Sequence, residues 1–394
     1  MSKKPSKKDA LFISLVFLCC LQWIFLKFFV GHLDTPWNAI SPGIAIFGAA
    51  YILSWGAELS QFEIPRSLAI AFLALIAVLP EYAVDMYFAW EAGSKPEYIH
   101  YATANMTGAN RLLIGVGWAT VVFAYFYKTK KGEVKLDTGN RTEILALTLA
   151  TLYSFIIPLK GSLSWMDSLF FLAIFVWYMI QVCSSDHEEP EVEGPIESLA
   201  HWPRMPRVLA TLFFFVFSGF TIFISAEPFA EGLLVVGEHM GIEKFVLVQW
   251  LAPLASEAPE FIVAILFALR AHASNSLGTL ISSKVNQWTL LIGMLPLVYN
   301  LSAGHIQPMP MDPRQCEELF LTSAQSFFAL VMIVNLRFSI TEALLLFVLF
   351  VTQLFFTTTE ARNMYAFVYL TIGCGWIFVV KGNKESVVQL FKRK

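Results

Sequence analysis

The sequence predicts an all-α integral membrane protein of about twelve transmembrane helices: two inverted five-helix repeats plus one extra helix at each end. Three observations predict it. Of 394 residues, 57% are hydrophobic and only 14% charged, whereas an average soluble domain carries about 25% charged residues. Twelve apolar runs are long enough to cross a bilayer at about 20 helical residues each. A polar helical hairpin built on Pro-Glu occurs twice, once in each half, in opposite orientation. The charge deficit excludes a soluble enzyme, and a net charge of −3 leaves no footprint for nucleic acid.

The runs fall at 11–30, 38–59, 65–90, 100–127, 141–159, 164–183, 206–227, 244–270, 274–300, 318–336, 338–357 and 363–381. The first follows Lys3, Lys4, Lys7 and Lys8, contains Lys27 and lacks a small-x-small cleavage site. It reads as a retained helix rather than a signal peptide. Residues 184–205 hold Asp186, Glu188, Glu189, Glu191 and Glu193 with Pro190 and Pro195, the composition of a solvated linker. The expected organisation is a tail and extra helix (1–37), a first repeat (38–183), an acidic cytoplasmic linker (184–205), an inverted second repeat (206–357), and an extra helix with a basic tail (358–394). With the N-terminus inside, alternation puts nineteen of the 27 lysines and arginines inside and five outside. Lys27, Arg111 and Lys284 are left within spans. That bias predicts cytoplasmic termini and an address in the cell (inner) membrane.

Charges inside spans are the functional candidates. Acids within or at the ends of spans are Glu58, Glu81, Asp85, Glu227, Glu257 and Glu260; bases are Arg111 and Lys284. Each costs about 2.5–3.5 kcal/mol at a helix centre, so pairing, hydration or bound ions must compensate them. Glu81 follows Pro80 and Glu260 follows Pro259. Proline frees backbone carbonyls, and an acid beside free carbonyls makes an all-oxygen site for a hard cation. Asp85 lies one turn after Glu81 and Glu257 three residues before Glu260, each pair on one helical face. The following helix is polar in both halves, with Asn105 and Asn110 in the first and Ser283, Asn286 and Gln287 in the second. Opposite orientation of two such hairpins signals an inverted repeat with a midplane site. Cys19, Cys20, Cys183 and Cys374 sit in apolar runs and Cys316 stands alone; there is no Cys-x-x-Cys and no His-Glu-x-x-His. Neither a disulfide framework nor a resident cofactor is expected.

The stretch Ser225-Ala-Glu-Pro-Phe-Ala-Glu-Gly232, then Leu254-Ala-Ser-Glu-Ala-Pro-Glu260, resembles the second repeat of the calcium/cation antiporter superfamily, the sodium/calcium exchangers. Members carry Gly-Thr-Ser-x-Pro-Glu followed by Gly-Asn-x-x-Gly-Ser-Asn-x-x-Asn. Ser256, Pro259 and Glu260 match the first signature; Gly278, Ser283 and Gln287 match the second. In the first repeat, Gly56-Ala-Glu58, Pro80-Glu81 and Ala104-Asn-Met-Thr-Gly-Ala-Asn110 are similar to the corresponding motifs. The resemblance implies cation ligands at Glu81, Glu260, Asn105, Asn110, Ser256, Ser283 and Gln287, and their places beside Glu81 and Glu260 add Asp85 and Glu257. The chain departs from the pattern at Ala77-Val78, at Glu257, at Lys284 where the family has Asn, and at Arg111 after the other Asn. Lys284 and Arg111 are read as charge-compensating residues, tethered cations that lower the number of ions bound.

The expectation is a secondary active cation antiporter, not an enzyme, exchanging Ca²⁺ for Na⁺ or H⁺ by alternating access. Its substrates are inorganic cations and its surroundings lipid. The alternatives are a proton- or K⁺-coupled monovalent cation exchanger of the same fold, or an intramembrane hydrolase. No metalloprotease motif supports the hydrolase.

Overall fold

A computed structural model describes residues 7–31, 33–60, 62, 79–184, 196–241, 243–356, 358–380 and 383–390. In chain order the helices are α1 (Lys7–Phe25), α2 (Trp37–Ser60), α3 (Leu79–Ala92), α4 (Tyr98–Leu112), α5 (Ala119–Thr129), α6 (Arg141–Ser154), α7 (Ile156–Lys160), α8 (Trp165–Cys183), α9 (Glu197–Ala200), α10 (Arg204–Met240), α11 (Lys244–Leu269), α12 (Ala273–Asn286), α13 (Ile292–Ala303), α14 (Pro313–Ile333), α15 (Ile340–Gln353), α16 (Thr359–Val379) and α17 (Asn383–Leu390). A π-helical turn, Leu113–Trp118, joins α4 to α5, and another, Gln287–Leu291, joins α12 to α13. Helices thus occupy each of the twelve expected positions. Ala77-Val78, most of the linker's acids and the first half of the expected 65–90 span lie outside the described residues.

Seven described helical stretches are long and apolar enough to span by length and composition, and an eighth follows if α16 and α17, bent by 100°, count as one. Two others are more polar or shorter. The helix α12 reads Ala-Ser-Asn-Ser-Leu-Gly-Thr-Leu-Ile-Ser-Ser-Lys-Val-Asn, and α15 has only 14 residues.

The chain divides into two compact units, residues 1–87 with 179–259, and 88–178 with 260–394. Each draws on both halves of the sequence, and the divisions fall inside α3, α8 and α11.

In the first unit, α2 lies along α10 at close range. Pro42 removes the N–H that would bond the carbonyl of Asn38. That carbonyl approaches Gly232, where a Cβ would stand 2.6 Å from it and 2.8 Å from the Ala39 backbone. Only glycine allows that approach. Pro228 likewise releases the carbonyl of Ile224. The Lys27 ammonium donates to this oxygen at 2.8 Å and the Trp23 indole at 3.4 Å. Lys27, unassigned by sequence, therefore satisfies a backbone group that a proline freed. The expected 206–227 run is here a 37-residue helix. It continues past Glu227-Pro228 because Ala230, Gly232, Leu233 and Leu234 are buried.

In the second unit two short antiparallel ribbons tie loops together. Glu133–Lys135 pairs with Arg337–Ser339, and Ser162–Leu163 with Met309–Pro310. Each ribbon joins two loops that the alternation of spans assigns to the same side. Two helix starts in this unit carry reciprocal side-chain caps. Asp312 and Gln315 form a reciprocal capping box at α14, and Ser339 and Glu342 another at α15, each satisfying otherwise orphaned N–H groups.

Candidate functional site

Each unit carries part of the expected residue set. In the first, Glu81 sits in the first turn of α3 and Asp85 one turn later, both buried. Ser256 and Glu257 on α11 are also buried. The Ser256 hydroxyl donates to carbonyls of its own helix, Ala252 at 3.2 Å and Pro253 at 3.4 Å. Its lone pairs stay available to a cation. Glu58 is half-buried and accepts from Ser54 at 3.4 Å, while Glu227 is exposed. A neighbour that sequence reasoning passed over is Glu231, which accepts a 2.7 Å hydrogen bond from the Tyr87 hydroxyl.

In the second unit, Glu260 on α11 accepts a 2.7 Å hydrogen bond from the Ser283 hydroxyl on α12. The matched Pro-Glu and hydroxyl signatures are thus in direct contact. On α4 the threonines of the polar stretch are occupied: Thr103 donates to Ile99 and Thr107 to Thr103 carbonyls, at 2.9 and 2.7 Å. Asn105 is fully buried, and neither end of its amide has a hydrogen-bond partner among the described residues. Such a group costs about 1–3 kcal/mol unless water or an ion satisfies it. Gln287 is fully buried within the second π-turn. Turns of this type leave backbone carbonyls without helical partners and recur at functional sites. Here one follows each polar stretch.

The two bases take places that sequence alone did not assign. Lys284 is 1% exposed. Its ammonium donates to Asn110 Oδ1 at 2.6 Å and lies 4.1 Å from the centre of the Trp288 ring. Its short contact is with an amide oxygen, and that oxygen belongs to an expected ligand. The Asn110 amide nitrogen is also used, donating to the Met106 carbonyl at 2.8 Å.

Arg111 pairs with Glu318 of α14, Nη1 to Oε2 at 2.8 Å, with both side chains almost wholly buried. Arg362 of α16 lies 3.7 Å from Glu318 and 3.3 Å from Glu317. Gln325 donates to the Arg111 carbonyl at 3.1 Å. The expected span starting at 318 put Glu318 at a membrane edge, and Arg362 was assigned to an outside loop. The signal that could have found Glu318 is the buried stripe Glu318, Thr322, Gln325 and Ser326, polar residues at helical spacing in an apolar run.

Among the described residues no three His, Cys, Asp or Glu side chains cluster to hold a metal ion. The carboxylates, amides, hydroxyls and backbone carbonyls of these stretches are oxygen donors, the chemistry that suits hard, exchangeable cations. A buried carboxylate must be neutralised by a proton or a cation, which makes the two competitors for one place.

The profile of the sodium/calcium exchanger protein family matches residues 11–183 and 210–359. Among solved structures, the H⁺/Ca²⁺ exchanger CAX aligns with 98% of this chain and 97% of its own, at 45% identity and a TM-score of 0.94. YfkE aligns with 91% of this chain and 99% of its own at 13% identity and a TM-score of 0.61. The sodium-calcium exchanger NCX_Mj aligns with 88% and 99% at 15% identity and a TM-score of 0.54. The last two speak to fold alone. A search among proteins of curated function returns no match. With profile and structure agreeing over most of its length, the chain belongs to the sodium/calcium exchanger protein family.

Proposed function

We propose that the chain is a secondary active antiporter that moves Ca²⁺ against H⁺, with Na⁺ as the alternative counter-ion. The observation that carries the reading is the Glu260 carboxylate, on a membrane helix and held by Ser283 at 2.7 Å, in a chain 45% identical to an H⁺/Ca²⁺ exchanger. Such a carboxylate cannot be left empty without a charge penalty, so release of Ca²⁺ requires entry of protons or Na⁺. The cation ligands of this reading are Glu81, Asp85, Asn105, Asn110, Ser256, Glu257, Glu260, Ser283 and Gln287. Its substrates are inorganic cations and it uses no cofactor or enzymatic step. We place it in the cell (inner) membrane with both termini cytoplasmic, on the lysine and arginine bias.

The test is uptake of radioactive calcium into liposomes holding the purified protein, under imposed H⁺, Na⁺ and K⁺ gradients. An H⁺ gradient should drive uptake, and Glu81→Gln and Glu260→Gln should reduce it to background. Absence of uptake under every gradient would refute the reading, and uptake driven by Na⁺ alone would replace the counter-ion.

A further inference from the structure

We infer that Lys284 is a built-in cation of the exchange site, occupying Asn110 in place of one exchangeable monovalent cation. The inference rests on the antiporter reading above and concerns how many ions that site carries.

Asn110 is fully buried, and both ends of its amide are consumed. The nitrogen donates to Met106 at 2.8 Å, and the oxygen receives the Lys284 ammonium at 2.6 Å. A second cation approaching that oxygen would meet a positive charge already there. Asn105, five residues earlier on the same helix, is equally buried and has neither end bonded among the described residues. Of two asparagines matched to the same family motif, one is left open to an ion and the other is closed by a side chain.

The ammonium is also fixed in place. It lies over the face of Trp288, 4.1 Å from the ring centre, and that indole is completely buried. A desolvated cation over a tryptophan face is strongly held, and the lysine stem ties it covalently to α12. The preceding residue, Ser283, holds Glu260. A permanent positive charge therefore sits one residue along the helix from the group that grips the candidate ion-binding carboxylate. A mobile ion leaves in each cycle, whereas Lys284 contributes its charge to both the Ca²⁺-bound and the returning form. The exchanger then needs one fewer counter-ion per Ca²⁺ than the same site without the lysine.

The test compares wild type, Lys284→Arg, Lys284→Asn and Lys284→Gln in liposomes. The reversal potential of the calcium flux reads the charge exchanged per Ca²⁺. Lys284→Arg should keep the wild-type charge exchanged per Ca²⁺. Lys284→Asn and Lys284→Gln should take one additional monovalent cation per Ca²⁺, and their uptake should become sensitive to Na⁺ or K⁺. An active neutral variant with unchanged charge per Ca²⁺ and no new monovalent sensitivity overturns the inference. If the neutral variants fold without transporting, equilibrium binding of radioactive sodium and rubidium to the purified protein decides. One extra bound ion per chain supports the inference and none overturns it. A purely structural lysine would lower yield without changing either ion count. Failure of wild type to take up Ca²⁺ under any gradient sinks the antiporter reading instead, and the binding comparison still judges Lys284.

Discussion

Replacing Glu318 by Gln removes one charge from a pair sealed inside the second unit. Arg111 and Glu318 side chains are 3% and 5% exposed and meet at 2.8 Å. At an effective dielectric of about 20, unit charges about 4 Å apart attract by about 4 kcal/mol. Removing one partner of a buried pair costs about 3–5 kcal/mol, because the other charge stays behind uncompensated. Here the cost falls in the upper part of that range, since Glu318 also faces Arg362 at 3.7 Å and the variant leaves two guanidinium groups near a neutral amide. The double variant Arg111→Met/Glu318→Leu removes both charges and should recover at least about 2 kcal/mol of that loss. The assay is unfolding of the purified protein in mixed micelles with increasing dodecyl sulfate, followed by tryptophan fluorescence, as a double-mutant cycle. A loss below about 1 kcal/mol for Glu318→Gln, the range of exposed pairs, would refute the reasoning. So would strict additivity of the two single variants.

Three further outcomes follow from the geometry. Gly232→Ala should destabilise the protein by about 1–3 kcal/mol, since its new Cβ would meet backbone atoms of Asn38 and Ala39; Gly219→Ala, with nothing within 4 Å of its Cβ, should be neutral or stabilising in the same melting assay. Lys27→Met should cost about 1–3 kcal/mol by weakening the satisfaction of the Ile224 carbonyl, and clearly less in a Pro228→Ala background, where the helix supplies its own donor; equal losses in both backgrounds would show that the proline is not the reason for the lysine. Ser283→Ala removes the donor to Glu260, and a hydrogen bond to a charged group is worth about 1.5–3 kcal/mol, so half-saturating Ca²⁺ in transport should rise by about tenfold or more, and an unchanged value would detach Ser283 from the site.

The all-helical membrane architecture was legible because apolar runs of span length have few alternatives in a chain so poor in charge. Ser283 and Glu260 were both singled out by their motifs, but the hydrogen bond between them was not read from the sequence. Nor was the end of α10. Glu227-Pro228 looks like a terminus locally, and only burial around Gly232 against α2 shows why the helix continues. Arg111 and Lys284 were recognised as anomalous charges, but their partners lie 207 and 174 residues away in sequence. Such pairings depend on tertiary packing, which no local pattern encodes. The ribbons at 133–135 and 337–339 are three residues each, too short for a period of two to register.

The length of α10 sets a depth scale. Its exposed large apolar side chains run from Met205 to Phe223, with Met240 alone beyond them; the run is nineteen residues or about 28 Å at 1.5 Å per residue, close to the roughly 30 Å of a bilayer's acyl interior. The remaining turns to Met240, about 26 Å more, carry Glu227, Glu231 and Glu238. Arg204 and Arg207 stand at the other end, so this one helix is basic at its start and acidic toward its finish.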